Sequence, residues 1–523
     1  MARRAQPLGA VVPAGVAAGA LVLALCLGTL AAVAWRAEAG GGLGAADWAA
    51  IRFTLFQAAL SAGLSCALAI PVARALARRQ FAGRGLLITL LGAPFILPVI
   101  VGVVGLLALF GRNGMVSAAL APLGLGPVDI YGLHGVLLAH VFFNLPLATR
   151  LILQGWLAIP AERFRLAAAL GFGPGDVVRR LEVPMLREVL PGAFLVTFLI
   201  CVTSFAVVLT LGGGPRATTV ELAIYHAFRF EFDLGRAALL SLIQFGMCAA
   251  AALMALAVTV PGGFGAGLDR PLKRWDADHL GLRMQDAAWL GLAGLFLLVP
   301  LALIVLRGLA GLAEMPAAVY AAALRSLVVA LVSAAVTVGL ALPLALAANR
   351  LGGLRGTALQ GAGMLAIAAS PLVMGTGLFL LLFPVVDPVA LALPVTAVVN
   401  AAMSLPFALR ALGPVLAETE RSHGRLADSL GLHGYTRLRL VTLPRLRRPL
   451  GFVLGLSAAL SMGDLGVIAL FADPAQATLP LQLYGLMGAY RMEAAAGAAL
   501  LLLALSLGLF WIFDRGGRAN AAV

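Results

Sequence analysis

The chain has 523 residues, of which 62% are hydrophobic and 11% charged, whereas soluble globular proteins carry about 25% charged residues. That composition excludes a water-soluble domain of ordinary type and makes lipid the solvent. The formal charge of +14 would suggest a nucleic-acid partner in a soluble protein; here it reports which loops lie on the cytoplasmic side of the membrane, and no nucleic acid is expected.

A bilayer-crossing helix needs about 20 apolar residues. In chain order such stretches fall near 11–34, 51–76, 86–110, 131–153, 191–212 and 236–260, then near 286–308, 321–348, 359–384, 388–412, 447–471 and 494–513. The expected fold is therefore an all-α membrane protein with about twelve transmembrane helices. The first run resembles a secretory leader, with Arg3 and Arg4 before it and Ala37-Glu38-Ala39 after it. It far exceeds the 7 to 15 residues of a leader core, so it is expected to stay as the first span.

Sorting the loops by side places 28 of the 37 Lys and Arg residues on one face. They come from the N-terminus, the segment Arg74 to Arg84, the long segments 150–187 and 410–448, the linker 270–283, Arg350 with Arg355, and Arg515 with Arg518. By the positive-inside rule that face is cytoplasmic, both termini lie inside, and the number of crossings is even. Cys26, Cys66, Cys201 and Cys248 all lie in apolar stretches without zinc or redox spacing and are expected to be packing residues.

The chain also matches itself at an offset of 260 residues. Leu145, Pro146, Ala148 and Arg150 recur as Leu405, Pro406, Ala408 and Arg410, and between Arg165 and Arg187 nine of 23 positions are identical with the second copy. Earlier the offset drifts to about 272, pairing Arg52 with Arg325 and Pro71 with Pro343. Residues 1–262 form one six-helix repeat with a long loop at 154–190; residues 263–285 are a cytoplasmic linker; residues 286–523 form the second repeat with its loop at 413–446. An even number of crossings per copy makes the repeats parallel.

The long loops are the stretches most alike between the copies. They read Arg165-Leu166-Ala167-x3-Gly171-x9-Leu181-x-Val183-Pro184 and Arg425-Leu426-Ala427-x3-Gly431-x9-Val441-x-Leu443-Pro444. Ala and Leu favour helix before each glycine, which is placed to end that helix with a left-handed cap.

Both loops resemble the E-A-A-x3-G-x9-I-x-L-P motif of bacterial ABC importer permeases. The resemblance implies a type I importer permease fold in which each loop forms a coupling helix seated in an ATPase subunit. Arg165, Ala167, Gly171 and Pro184, with Arg425, Ala427, Gly431 and Pro444, then carry the coupling. Both copies have Arg where the family usually has Glu, which inverts the charge presented to the ATPase. No phosphate-binding loop is expected on this chain, because its only lysine, Lys273, follows Leu272 rather than Gly. Gly212-Gly213-Gly214 lacks a following lysine and reads as a flexible outer turn.

Over nearly the whole length the chain is similar to the permeases of thiamine ABC transporters, notably in Ser204-Phe205-Ala206, Leu211 to Pro215, Ala217 to Tyr225, His140 to Pro146 and Gly463 to Val467. That resemblance implies a bacterial inner-membrane subunit without a cofactor of its own. ATP and Mg would be used by two copies of a partner ATP-binding subunit, and a periplasmic solute-binding protein would deliver thiamine, and in some members its phosphates. A ferric-iron importer permease is the nearest alternative. A major-facilitator secondary transporter also has parallel six-span halves, but it lacks two long coupling loops, and its Asp-containing motif is absent from Arg74 to Arg84. A membrane enzyme is disfavoured because no inward cluster of His and carboxylates is apparent. His140 reads as a satisfied packing residue. Asp464, opposite Ser204 in the repeat, stands inside a span; both are candidate pathway residues, and capping of a broken helix or a bond to Ser461 is the structural alternative for Asp464.

Overall fold

The computed structural model describes residues 11–37, 42–91, 96–214, 217–257, 274, 279–471 and 474–518; among them regular structure is helical and no strand occurs. Arg3, Arg4, Glu38, Ala39, Pro215 and the linker residues Asp269, Arg270, Lys273, Asp276 and Asp278 lie outside the described residues.

The first repeat contributes α1 (Val11–Ala37), α2 (Ala45–Arg78), α3 (Arg84–Leu90), α4 (Val99–Phe110), α5 (Met115–Leu120), α6 (Leu133–Ala158), α7 (Ala161–Ala169), α8 (Pro174–Val177), α9 (Val183–Val202), α10 (Ala206–Leu211), α11 (Val220–Arg229) and α12 (Leu234–Ala257). The second contributes α13 (Leu280–Gly311), α14 (Ala317–Leu351), α15 (Gly353–Met364), α16 (Pro371–Leu382), α17 (Ala392–Ser429), α18 (Gly434–Arg437), α19 (Leu443–Met462), α20 (Gly466–Phe471), α21 (Leu479–Gly488) and α22 (Met492–Arg518). Eleven helical stretches among the described residues are long and apolar enough to cross a membrane, and α16 is a shorter apolar helix.

The expected continuous spans are interrupted where side-chain chemistry forbids an unbroken ladder. The span expected at 359–384 breaks before Pro371, whose ring nitrogen cannot donate; Ser370 caps the new helix by accepting the Val373 N–H at 3.1 Å. The span expected at 86–110 is likewise not one helix, since α4 starts only after Pro98. Those expected at 191–212 and 447–471 start earlier, at Val183 and Leu443, and unwind at residues 203–205 and 463–465 before the short helices α10 and α20. The one expected at 388–412 runs on to Ser429 and absorbs the first part of the second long loop.

Two compact units emerge, and each contains the first helix of the other repeat. One unit holds Leu43–Ala223 and Gly246–Ala310; the other holds the N-terminal helix, Ile224–Phe245 and the chain from Gly311 onward. Within the latter, α1 lies along α14 and α16, with Gly15 so close to the Pro343 carbonyl that a Cβ would stand 2.5 Å from its oxygen. Small residues let backbones approach in lipid, where apolar burial alone gives no drive to pack. Within the former, α13 sets Phe296 edge-on to Phe142 at 5.9 Å and Ile304 against Gly105.

The duplication is visible as the same hydrogen bond made twice. The Val220 N–H donates to Thr54 Oγ1 at 2.9 Å, and the Leu479 N–H donates to Ser326 Oγ at 2.8 Å. These bonds pair Thr54 with Ser326, one position out of step with the pairing of Arg52 and Arg325. The four cysteines are all buried and free.

Candidate functional site

The two long loops fold alike from Arg165 and Arg425 onward. Helix α7 starts after Pro160, which interrupts the chain between α6 and α7; the second copy has Glu420 there and α17 continues unbroken. Each helix then ends at its glycine, Gly171 at φ +67° and Gly431 at φ +65°. The Gly171 N–H donates to Ala168 O and the Phe172 N–H to Ala167 O; the Gly431 N–H donates to Asp428 O and the Leu432 N–H to Ala427 O. This pair of bonds is a Schellman cap, which consumes carbonyls that the helix end would otherwise leave open.

Beyond the cap both copies make one short helical turn, α8 or α18, then a π-helical turn at Val178–Glu182 or Leu438–Thr442, then α9 or α19 with Pro184 or Pro444 in the first turn. Ala167 and Ala427 face inward, each 2% exposed, while Arg165 and Arg425 are exposed. Leu166 and Leu170 are 60% and 61% exposed, and Leu426 and Leu430 57% and 64%. Each coupling helix thus shows the same i, i+4 leucine ridge beside an arginine, an apolar surface that water does not favour.

Each loop is fastened by an ionic clamp, and the two clamps differ. Glu182, at the unspecified position between Leu181 and Val183 of the motif, is 1% exposed. Its carboxylate takes Arg74 Nε at 2.7 Å and Arg274 Nη1 at 2.8 Å, and the Arg274 guanidinium lies over the Phe164 ring at 4.8 Å. In the second copy buried Arg437 reaches Glu420 at 2.7 Å and Asp428 at 2.6 Å. A Cβ at Gly424 would stand 3.3 Å from Arg437 Nη2. The repeat puts Phe164 and Val177 where the second copy has Gly424 and Arg437, so apolar filling in one loop replaces an arginine in the other. No local pattern in the sequence announced Glu182, because its partners Arg74 and Arg274 come from distant segments, whereas Arg437 pairs within its own loop, 9 and 17 residues away.

A second polar feature sits at the unwound residues 203–205 and 463–465, where freed backbone groups in lipid need partners. His140 is buried and hydrogen-bonded through Nδ1 to Ser61 Oγ at 2.9 Å and through Nε2 to Ser204 Oγ at 2.8 Å. It is therefore satisfied, by polar partners rather than by packing alone. At the repeat-equivalent place Asn400 Nδ2 donates to Ser461 Oγ at 3.0 Å and the Asn400 amide also reaches the Asp464 carboxylate. The backbone amides of Gly466, Val467 and Ile468 point at that carboxylate, which caps α20, and its Oδ2 is buried without a hydrogen-bond partner. Ser204 and Asp464 thus occupy matching places at helix breaks, one held by a histidine and the other by an asparagine. The matching of His140 with Asn400 was available from the repeat alone.

No protein-family model matches the chain. A thiamine transport system permease protein of Brucella abortus is 40% identical over 520 residues, covering 96% of this chain and 95% of that protein. The protein of the same name in Escherichia coli is 39% identical over 531 residues, covering 98% of each. A probable ABC transporter permease of Sinorhizobium fredii is 32% identical over 204 residues, which is 38% of this chain and 66% of that protein. With identity at this level over nearly the whole of both chains, the chain belongs to the family of thiamine transport system permease proteins.

Proposed function

We propose that this chain forms the transmembrane pathway of an ATP-driven importer that carries thiamine from the periplasm to the cytoplasm by alternating access. The observation that carries the reading is the pair of Schellman-capped helices with exposed leucine ridges, one per repeat, in a chain that resembles thiamine transport permeases from end to end. Two such ridges call for two copies of an ATP-binding subunit on the cytoplasmic side, where ATP and Mg are used. A solute-binding protein serves the opposite side, and both chain termini are cytoplasmic. The basic coupling segments support that orientation.

Two measurements test this. Native mass measurement of the purified assembly should give two ATP-binding subunits per permease chain; one or four would overturn the stoichiometry. In proteoliposomes, ATP hydrolysis should rise with thiamine-loaded binding protein and stay at its basal rate with ferric ion or polyamines. Stimulation by ferric ion instead would move the chain to the iron-importer reading.

Asp464 is proposed to stabilise the fixed positive charge of the thiazolium ring as it passes the membrane interior, in addition to capping α20. An ionised Asp at a span centre costs about 2.5 to 3.5 kcal/mol on insertion scales, which favours a functional return for keeping it. Asp464→Asn keeps an oxygen for the α20 amides and removes the charge. Assembly and basal ATP hydrolysis should be preserved while thiamine uptake slows several-fold. Unchanged uptake would remove Asp464 from the pathway, and failure to assemble would leave it the cap alone.

A further inference from the structure

Among the described residues only two that are not glycine adopt a left-handed backbone, Phe232 at φ +53° and Tyr490 at φ +58°. Both stand in the turn that ends a short helix and leads into the last span of a repeat, Phe232 between α11 and α12 and Tyr490 between α21 and α22. The shared bonds from Val220 to Thr54 and from Leu479 to Ser326 show that α11 and α21 are repeat equivalents. A left-handed backbone is unfavourable for a bulky side chain and free for glycine. The chain uses glycine for this purpose elsewhere: the cap bonds at Tyr490, with its N–H on Met487 O and the Arg491 N–H on Leu486 O, repeat the pattern that Gly171 and Gly431 make at the coupling loops.

Nothing in the packing compensates for an aromatic at these positions. Phe232 is 78% exposed and Tyr490 90% exposed, and neighbouring Phe230 is also exposed. Strain kept without a packing return clusters at functional sites. Both turns lie one crossing away from the coupling loops, since α9 and α19 leave those loops and traverse the membrane before α11 and α21.

We propose that Phe232 and Tyr490 are anchor residues for the solute-binding protein on the outer face, a reading that rests on the importer function above. Their surroundings favour a protein over lipid. Charges of both signs flank the anchors, Arg229, Glu231, Asp233 and Arg236 around Phe232 and exposed Arg491 with Glu493 beside Tyr490. Glu231 is ion-paired with Arg236, and Asp233 Oδ1 accepts the Arg236 N–H at 2.9 Å. A rim of balanced charge offers no net positive patch to hold anionic headgroups, whereas an aromatic anchor inside a polar rim is how protein interfaces concentrate their binding energy. One anchor comes from each repeat and both lie in the same compact unit, which suits a single partner.

The test uses the complete transporter in nanodiscs with Phe232→Gly, Tyr490→Gly and the double variant. Glycine relieves the left-handed strain, so folding is protected. Basal ATP hydrolysis and the melting temperature should hold or rise, while the concentration of thiamine-loaded binding protein giving half-maximal stimulation rises at least about tenfold in the double variant. Tyr490→Phe should behave as wild type. An unchanged half-stimulating concentration in a normally assembled double variant overturns the proposal. A lowered melting temperature that varies with lipid composition, with stimulation unchanged, overturns it in favour of a membrane-interface role. A wild-type complex that the binding protein fails to stimulate refutes the importer reading itself, and the docking with it.

Discussion

Gly431→Val should yield a protein that inserts and accumulates normally but imports almost nothing. No atom lies within 4 Å of a Cβ built at Gly431, so the substitution causes no clash, and its effect is confined to the backbone at φ +65°. Holding a β-branched residue there costs about 1–2 kcal/mol, comparable with the two cap bonds from Gly431 and Leu432. The cheapest relief is to release the cap, which turns the leucine ridge of Leu426 and Leu430 away from its partner. Uptake should fall at least about tenfold, the equivalent of 1.4 kcal/mol, with basal ATP hydrolysis retained by the assembled complex. Gly171→Val should do the same, and Gly431→Asn should be mild because Asn tolerates the left-handed region. Normal uptake by the valine variants at normal expression would show that these helices do not transmit the ATPase motion.

Glu182→Gln should be among the most destabilising single changes in the two long loops. It leaves the guanidinium of Arg274, 2% exposed, and that of Arg74, 23% exposed, without the carboxylate that both now share. Removing one partner of a buried ion pair costs about 3–5 kcal/mol, far more than the pair itself contributes. The lower end applies here, since Arg74 retains some access to water. Glu420→Gln makes the contrast. That side chain is 57% exposed, so an effect below about 1 kcal/mol is expected. Thermal unfolding in detergent should separate the two by many degrees, and Glu182→Gln with Arg274→Gln should recover much of the loss. Equal melting temperatures for the two single variants would show that Glu182 is not a buried keystone of the first loop.

What could be read from the residues was local. The caps at Gly171 and Gly431 follow from a rule that spans six residues, and the apolar runs report spans without reference to neighbours. The breaks were harder, because Pro98, Pro371 and Ser204 sit inside largely apolar runs; only Asp464, a carboxylate inside a span, hinted at the break after Met462. The Glu182 clamp and the His140 bridge were out of reach for a different reason. His140 meets Ser61 across 79 positions and Ser204 across 64, and Arg274 meets Glu182 across 92. Nor did the duplication help with the clamps, since one loop uses Glu182 and Phe164 and the other uses Arg437 and Gly424.

The placement of α1 has a consequence for how the protein is made. Its main packing surface is α14 and α16, with Val33 and Ala37 near its C-terminal end also against Ala238 of α12, so when α1 leaves the ribosome its partners have not yet been synthesised. Elongation at about 5 to 20 residues per second means that α1 waits for roughly 20 to 70 seconds before Leu382 is added. During that time most of its length is an uncovered apolar helix in lipid, protected from aggregation by being apolar on every side. The first repeat therefore reaches the membrane with one of its own helices held only near its C-terminal end, and the rest of that helix is covered when the second repeat arrives.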